Sequence, residues 1–315
     1  MQQMFLGEAI KKRRMELGLT QEQLCEGICE PTTISRLENG KQTPSRNNIN
    51  ALLERLGLPA DRYYALLRKN EEEVDALQRQ ITAYNHRFGS ACDDERAQIK
   101  EQAEKAFEQL EATIDDDDMV SRQFILRSRI IIGKRDGEYS PDEQKEMLTA
   151  AIRLTAPYFD VSNINKGLYS ADEIKLINLL AGAYSHNEQH TEALNIYTQL
   201  YEYIQKHFSN IPLTRANLSM VAVNYARELI IGGDFQTAVE IADEGKQCCL
   251  DFGHYHALPR LLAIQGDAYG RLGNVSEARK LCHQAYYLMQ VIGDNRNLQI
   301  LKRKAKKELG LEYEV

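Results

Sequence analysis

The chain has few of the patterns that carry chemistry. Its six cysteines, at 25, 29, 92, 248, 249 and 282, include no C-x-x-C pair, so they read as reduced structural thiols rather than a metal or redox set. His254-x-His256 and the adjacent Cys282–His283 lack the i,i+3 or i,i+4 spacing that puts two ligands on one helical face. The four consecutive carboxylates Asp115–Asp118 lack the alternating oxygen ligands and the glycine of a calcium loop; negative charge at a helix N-terminus accounts for them. No phosphate-cradling glycine loop and no nucleophile–base constellation occurs, which argues against an enzyme and implies no cofactor and no metal. No apolar run approaches the ~20 residues that span a bilayer, and no charged-then-apolar leader opens the chain. The expectation is a cytoplasmic protein with no membrane segment.

What is present is a folded composition, 43% hydrophobic over 315 residues, enough for two domains and a substantial core. Residues 1–68 hold 10 Lys and Arg against 8 Asp and Glu, and the rest 29 against 38, net +2 and −9. A mildly basic N-terminal domain on an acidic protein suits local contact with a polyanion.

The stretch TQEQLCEGICEPTTISRLENG, Thr20 to Gly40, organises the reading. Thr20 and Gln23 form a T-x-x-Q capping box before Leu24, so a helix starts at Gln21. ICEP at 28–31 ends it near Ile28, because Pro31 pushes Glu30 out of the helical region. Pro31 then opens a second helix to Glu38, with Ile34 and Leu37 inward and Thr32, Thr33, Ser35 and Arg36 outward. Asn39–Gly40 closes it through a left-handed glycine. Small hydroxyls and an arginine on an exposed helix N-terminus suit a DNA major groove. An ordinary helical hairpin satisfies the spacing alone; the flanking residues favour the DNA reading.

Residues 6–58 resemble the Cro/repressor-type (XRE) DNA-binding domains: ELGLTQEQL followed by ISRLENGKQTPS matches that class nearly residue by residue. EGIC at Glu26–Cys29 is similar to the PlcR/Rgg type of Gram-positive, peptide-pheromone-responsive regulators. The resemblance implies an all-α chain: a five-helix repressor-like domain over 1–68, a connecting helix over 69–90, and a right-handed TPR-like helical-repeat solenoid over 91–315. It also implies a salt bridge between Arg14 and Glu38 that ties the first helix to the recognition helix.

Phe5 to Leu17 forms the first helix, with Lys11–Arg14 either on DNA backbone or in solvent. Ser45 caps a helix running to about Leu56. Its N-terminal amides, with Lys41, Thr43 and Arg46, make a phosphate-binding edge, and Gln21 holds the backbone on the other side. A fifth helix begins near Ala60. Tyr63–Phe88 keeps a helical period as the connecting helix, and further helices run over Asp93–Thr113, Met119–Ile132 and Ser140–Phe159.

The remainder reads as helical pairs. Ile177, Leu180, Ala181, Tyr184, Ala193 and Tyr197 fit a tetratricopeptide unit beginning at Ile174; Gly266, Tyr269, Gly273, Ala278 and Ala285 fit a second from Pro259. Gly232, Gly233 and Ala238 mark a weaker unit between them. Neighbouring pairs stack to bury their apolar faces, leaving a concave surface lined by the first helix of each pair. Asn178, Asn224 and Arg227 are the candidates to hold a peptide backbone there, and Arg260 a peptide carboxylate. The competing assignment is that these side chains solvate the groove or bridge helices. KRKAKK at 302–307 lies in a capping helix ending at Gly310, with a wet basic face.

The expected function is a transcription regulator that binds a pseudo-palindromic double-stranded operator as a homodimer, with repeats that receive a short signalling peptide. The alternative keeps the DNA-binding domain and assigns the repeats to dimerisation or protein partners alone.

Overall fold

The computed structural model describes residues 6–42, 44–58, 69–91, 93–208, 212–253 and 255–313. Among them are fifteen α-helices and no strand. They fall in two compact units, Met1–Leu180 and Ala181–Val315.

The first unit opens with four short helices: α1 (Leu6–Glu16), α2 (Gln21–Cys25), α3 (Pro31–Glu38) and α4 (Arg46–Arg55). The Thr20–Gln23 capping box starts α2, Pro31 occupies the first turn of α3, and the Ser45 hydroxyl accepts from the Asn48 amide at the start of α4. Ile10, Leu24, Ile34, Ile49 and Leu52 fill the core between them. α2 stops at Cys25, three residues before the expected end at Ile28. Gly27 takes a left-handed turn, φ +70°, and the Ile28 and Cys29 amides fold back to the Cys25 carbonyl, so the chain leaves the helix before Pro31 acts. The expected fifth helix near Ala60 lies outside the described residues.

α5 (Lys69–Ser90), α6 (Asp93–Thr113) and α7 (Met119–Asp136) follow. Ile81, Phe88, Phe107 and Leu110 are fully buried in the core they share. Asp118 caps α7 by accepting from the Ser121 amide, which gives that carboxylate a structural role. α7 runs one turn beyond the expected Ile132, to the left-handed Gly137. α8 (Pro141–Thr155) starts at a Ser140–Glu143 capping box and ends four residues before the expected Phe159. Pro157 explains the early stop, since its ring disfavours a helical Ala156.

α9 (Ala171–His186) runs from the first unit into the second. The second unit continues with α10 (His190–Phe208), α11 (Pro212–Ile231), α12 (Phe235–Phe252), α13 (Leu258–Arg271), α14 (Val275–Ile292) and α15 (Asn295–Leu309). Each of these helices packs on the next, and α13 also packs on α11 and on α15. That is the repeat pattern: first helices of successive pairs line up on one side. The repeat alanines Ala193, Ala238 and Ala278 are completely buried at the helix crossings. Among the described residues no helix is long and apolar enough to cross a membrane.

Candidate DNA-reading surface and ligand cavity

Helix α3 turns Ile34, Leu37 and Glu38 inward and leaves Thr32 and Arg36 exposed, with Thr33 and Ser35 half-buried beside them. Arg36 makes one long contact, 3.4 Å from Nη1 to Gln42 Oε1. The helix is held from below. Arg14 donates from Nε and Nη2 to the two Glu38 oxygens at 2.6 and 2.9 Å, and Gln21 Nε2 donates to Oε2 at 2.8 Å. Burial pushes the Glu38 carboxyl up, and the hydrogen bonds from Arg14 and Gln21 outweigh it, so its pKa is lowered. The Gln21 side chain therefore braces the recognition helix from within the domain.

Lys41 is exposed just beyond α3. Ser45 uses its hydroxyl as the α4 cap, and Arg46 Nη1 pairs with Asp75 on α5 at 2.8 Å. Thr43 lies outside the described residues. Cys25 and Cys29, free thiols beside this surface, are pushed by burial up to about 11 and about 12 and stay protonated at neutral pH.

Arg55 at the end of α4 has no signal in the sequence pattern, and it joins four elements. Its Nη1 donates to the Leu24 and Glu26 carbonyls at 3.2 and 2.6 Å, closing the end of α2. Its Nη2 donates to the Thr155 carbonyl at the end of α8 and to Glu173 on α9 at 3.2 Å. The Ala171 amide at the start of α9 donates to Glu54 Oε2 at 2.8 Å. Gly27 lies so close to Thr155 that a Cβ there would overlap its backbone. The only local hint is EGIC itself, since its glycine sits at this contact.

In the second unit, Asn224 and Arg227 of α11 and Arg260 of α13 line one cavity of about 440 Å³. Helix α15 contributes Asn297, Ile300, Leu301 and Lys304 to the same wall. Asp267 is occupied from two sides, by Arg271 Nε at 2.8 Å and Lys304 Nζ at 3.1 Å. The basic run at 302–307 is thus partly engaged by the chain itself: Lys302 sits over the Tyr286 ring, and Lys306 pairs with Glu312 at the surface. Arg260 is different, because its buried Nε has no hydrogen-bond partner. Asn178 is brought to neither this cavity nor the surface; it lies in the first unit, 4% exposed.

A helix-turn-helix family model matches residues 10–63. No curated protein matches the chain. Among solved structures, PlcR of Bacillus thuringiensis with the peptide PapR7 and DNA is 19% identical, covering 95% of this chain and 99% of its own, with a TM-score of 0.54. ComR of Streptococcus vestibularis with its signalling peptide XIP is 16% identical, covering 97% and 98%, with a TM-score of 0.52. ComR of S. thermophilus with DNA and ComS is 16% identical, covering 97% and 100%, at 0.50. Residues 10–63 are therefore a helix-turn-helix DNA-binding domain of the XRE type, in an all-helical chain that shares the fold of the PlcR and ComR regulators.

Proposed function

We propose that the protein is a sequence-specific transcription regulator whose repeat unit binds a short signalling peptide and so controls its dimer and DNA-binding state. Thr32, Thr33 and Arg36 read bases in the major groove, and Lys41, Thr43, Ser45 and Arg46 hold phosphates. For Arg46 this requires its Asp75 partner to share or release it. Two copies are needed, because one helix-turn-helix reaches a single half-site and genomic competition demands more.

The observation that carries the peptide half is the cavity between α11, α13 and α15, with asparagine and arginine side chains beside apolar walls. A cleft of this size and mixed lining suits the end of an extended peptide. The similar structures of PlcR and ComR hold peptides and DNA. A second reading, repeats that only dimerise or bind protein, is favoured by Tyr287 and Val291 on α14, 63% and 81% exposed one helical turn apart.

The test has two arms. Operator selection from random duplexes, followed by sedimentation with and without the selected site, should give a dimer on DNA. Thermal stabilisation by peptides that co-purify with the protein should follow from the peptide reading, and its absence leaves the protein-binding one.

A further inference from the structure

Resting on the peptide reading, we infer that Arg227 and Arg260 form a two-guanidinium site for a free C-terminal carboxylate, with the peptide's last side chain in the apolar slot beside them. The charge count inside the cavity is the first argument. Its two acids are engaged: Asp267 by Arg271 and Lys304, and Glu308 by Arg271 at 3.9 Å. Among the described residues neither Arg227 nor Arg260 has an ion-pair partner within 4.0 Å, so the unspent charge in the cavity is positive.

The second argument is the state of Arg260. Its Nε is buried without an acceptor, and burial is the largest influence lowering its pKa, opposed by Asp294 and added to by Arg227. Asp294 is itself occupied, accepting from the Asn297 amide at 3.0 and 2.8 Å. A guanidinium whose Nε is buried without an acceptor, beside a second cation, is costly to the fold. An arriving carboxylate offers the planar pair of acceptors that the fork of an arginine fits.

The third argument separates a chain terminus from an acidic side chain. Ile264, Ile300 and Leu301 line the same cavity. A terminal carboxylate brings its own residue's side chain into that slot, which suits an aliphatic or aromatic last residue. An Asp or Glu in mid-peptide would set backbone N–H and C=O groups against those three aliphatic side chains instead. The site therefore reads the end of the peptide: C-terminal extension is excluded, and the N-terminal part continues outward past Asn224.

The experiment uses the full chain, immobilised, and two pools of randomised heptapeptides, one with free C-terminal carboxylates and one amidated. Retained peptides are identified by mass spectrometry and remade as the acid, the amide, and the forms lengthened by one glycine at either end. Hits are expected from the acid pool, ending in apolar residues. The amide and the C-terminal extension should bind about 10- to 100-fold more weakly, and the N-terminal extension like the parent. Arg260→Met, checked for folding by its melting curve, should abolish the difference between acid and amide. Peptides that bind equally as acids and amides would leave the peptide reading standing and overturn this one. So would hits that depend on an internal Asp or Glu. Retention from neither pool would remove both readings.

Discussion

Arg55 Nη2 and Glu173 Oε1 lie 3.2 Å apart with both side chains at most 2% exposed, although 118 residues separate them. The pair fixes the end of α4 to the start of α9, and the Leu24, Glu26 and Thr155 carbonyls accept the other hydrogen bonds of the two Arg55 Nη groups. Removing one partner leaves the other charged and buried, so Arg55→Met should cost about 3–5 kcal/mol. The Arg55→Met/Glu173→Met double variant should recover part of that loss. Urea unfolding of the four proteins in the cycle measures it, and additive losses would show that the pairing contributes nothing of its own.

Glu54, the neighbouring residue, makes stability depend on pH in the direction opposite to most carboxylates. Burial raises its pKa to about 7, against the lowering by the Ala171 amide. The folded state then binds more protons than the unfolded chain between the ordinary glutamate value and 7. Its contribution is greatest below that window and is lost as pH rises through it, by up to about 3 kcal/mol. Glu54→Gln keeps an acceptor for Ala171 and should remove this slope. Melting temperatures from pH 5 to 8 should fall less for the variant than for the parent. Parallel curves would refute the assignment.

Gly27→Ala should destabilise the first unit by about 2–4 kcal/mol, combining a left-handed backbone with overlap against Thr155. Gly18 has a similar φ, +69°, and open space around it, so Gly18→Ala should cost only about 1 kcal/mol. Equal losses for the two would mean that the Thr155 contact yields without strain.

On DNA, Arg36→Ala should change base preference, whereas Lys41→Ala should weaken all sequences and reduce the salt slope by about one unit. Fluorescence anisotropy on a selected operator and on random duplex, over a salt series, separates the two. Equal loss on both duplexes for Arg36→Ala would rule out base reading by that residue.

What was legible in the sequence was local. The Thr20–Gln23 box, Pro31, Ser45 and the α6 boundaries are written within one helical turn, and each boundary falls where those residues place it. The end of α2 is not local in this sense: Pro31 marks a stop, but the chain has already left the helix. The stop is Gly27, whose reason for being glycine is Thr155, far along the chain. Arg55 carries no local signal for the same cause: its acceptors come from the end of α2, from α8 and from α9. Gln21 and Arg46 show a subtler limit, since polarity and position mark a side chain as available but do not reveal an internal carboxylate, Glu38 or Asp75, already holding it. In the repeats, the tetratricopeptide pattern puts Asn224 and Arg227 on one first helix and Arg260 on the next. It could not foresee that Asn178 would be buried elsewhere, because burial depends on what packs against α9.

The seating of Gly27 and Arg55 against α8 and α9 has a consequence for how such a protein measures DNA. A reader domain on a loose string samples a range of half-site separations, and lengthening the string widens that range. Here the turn of the helix-turn-helix is itself the attachment point, and it docks on Thr155 and Glu173 within the same compact unit. Adding residues between Leu58 and Lys69 should then leave the head seated on α8 and α9.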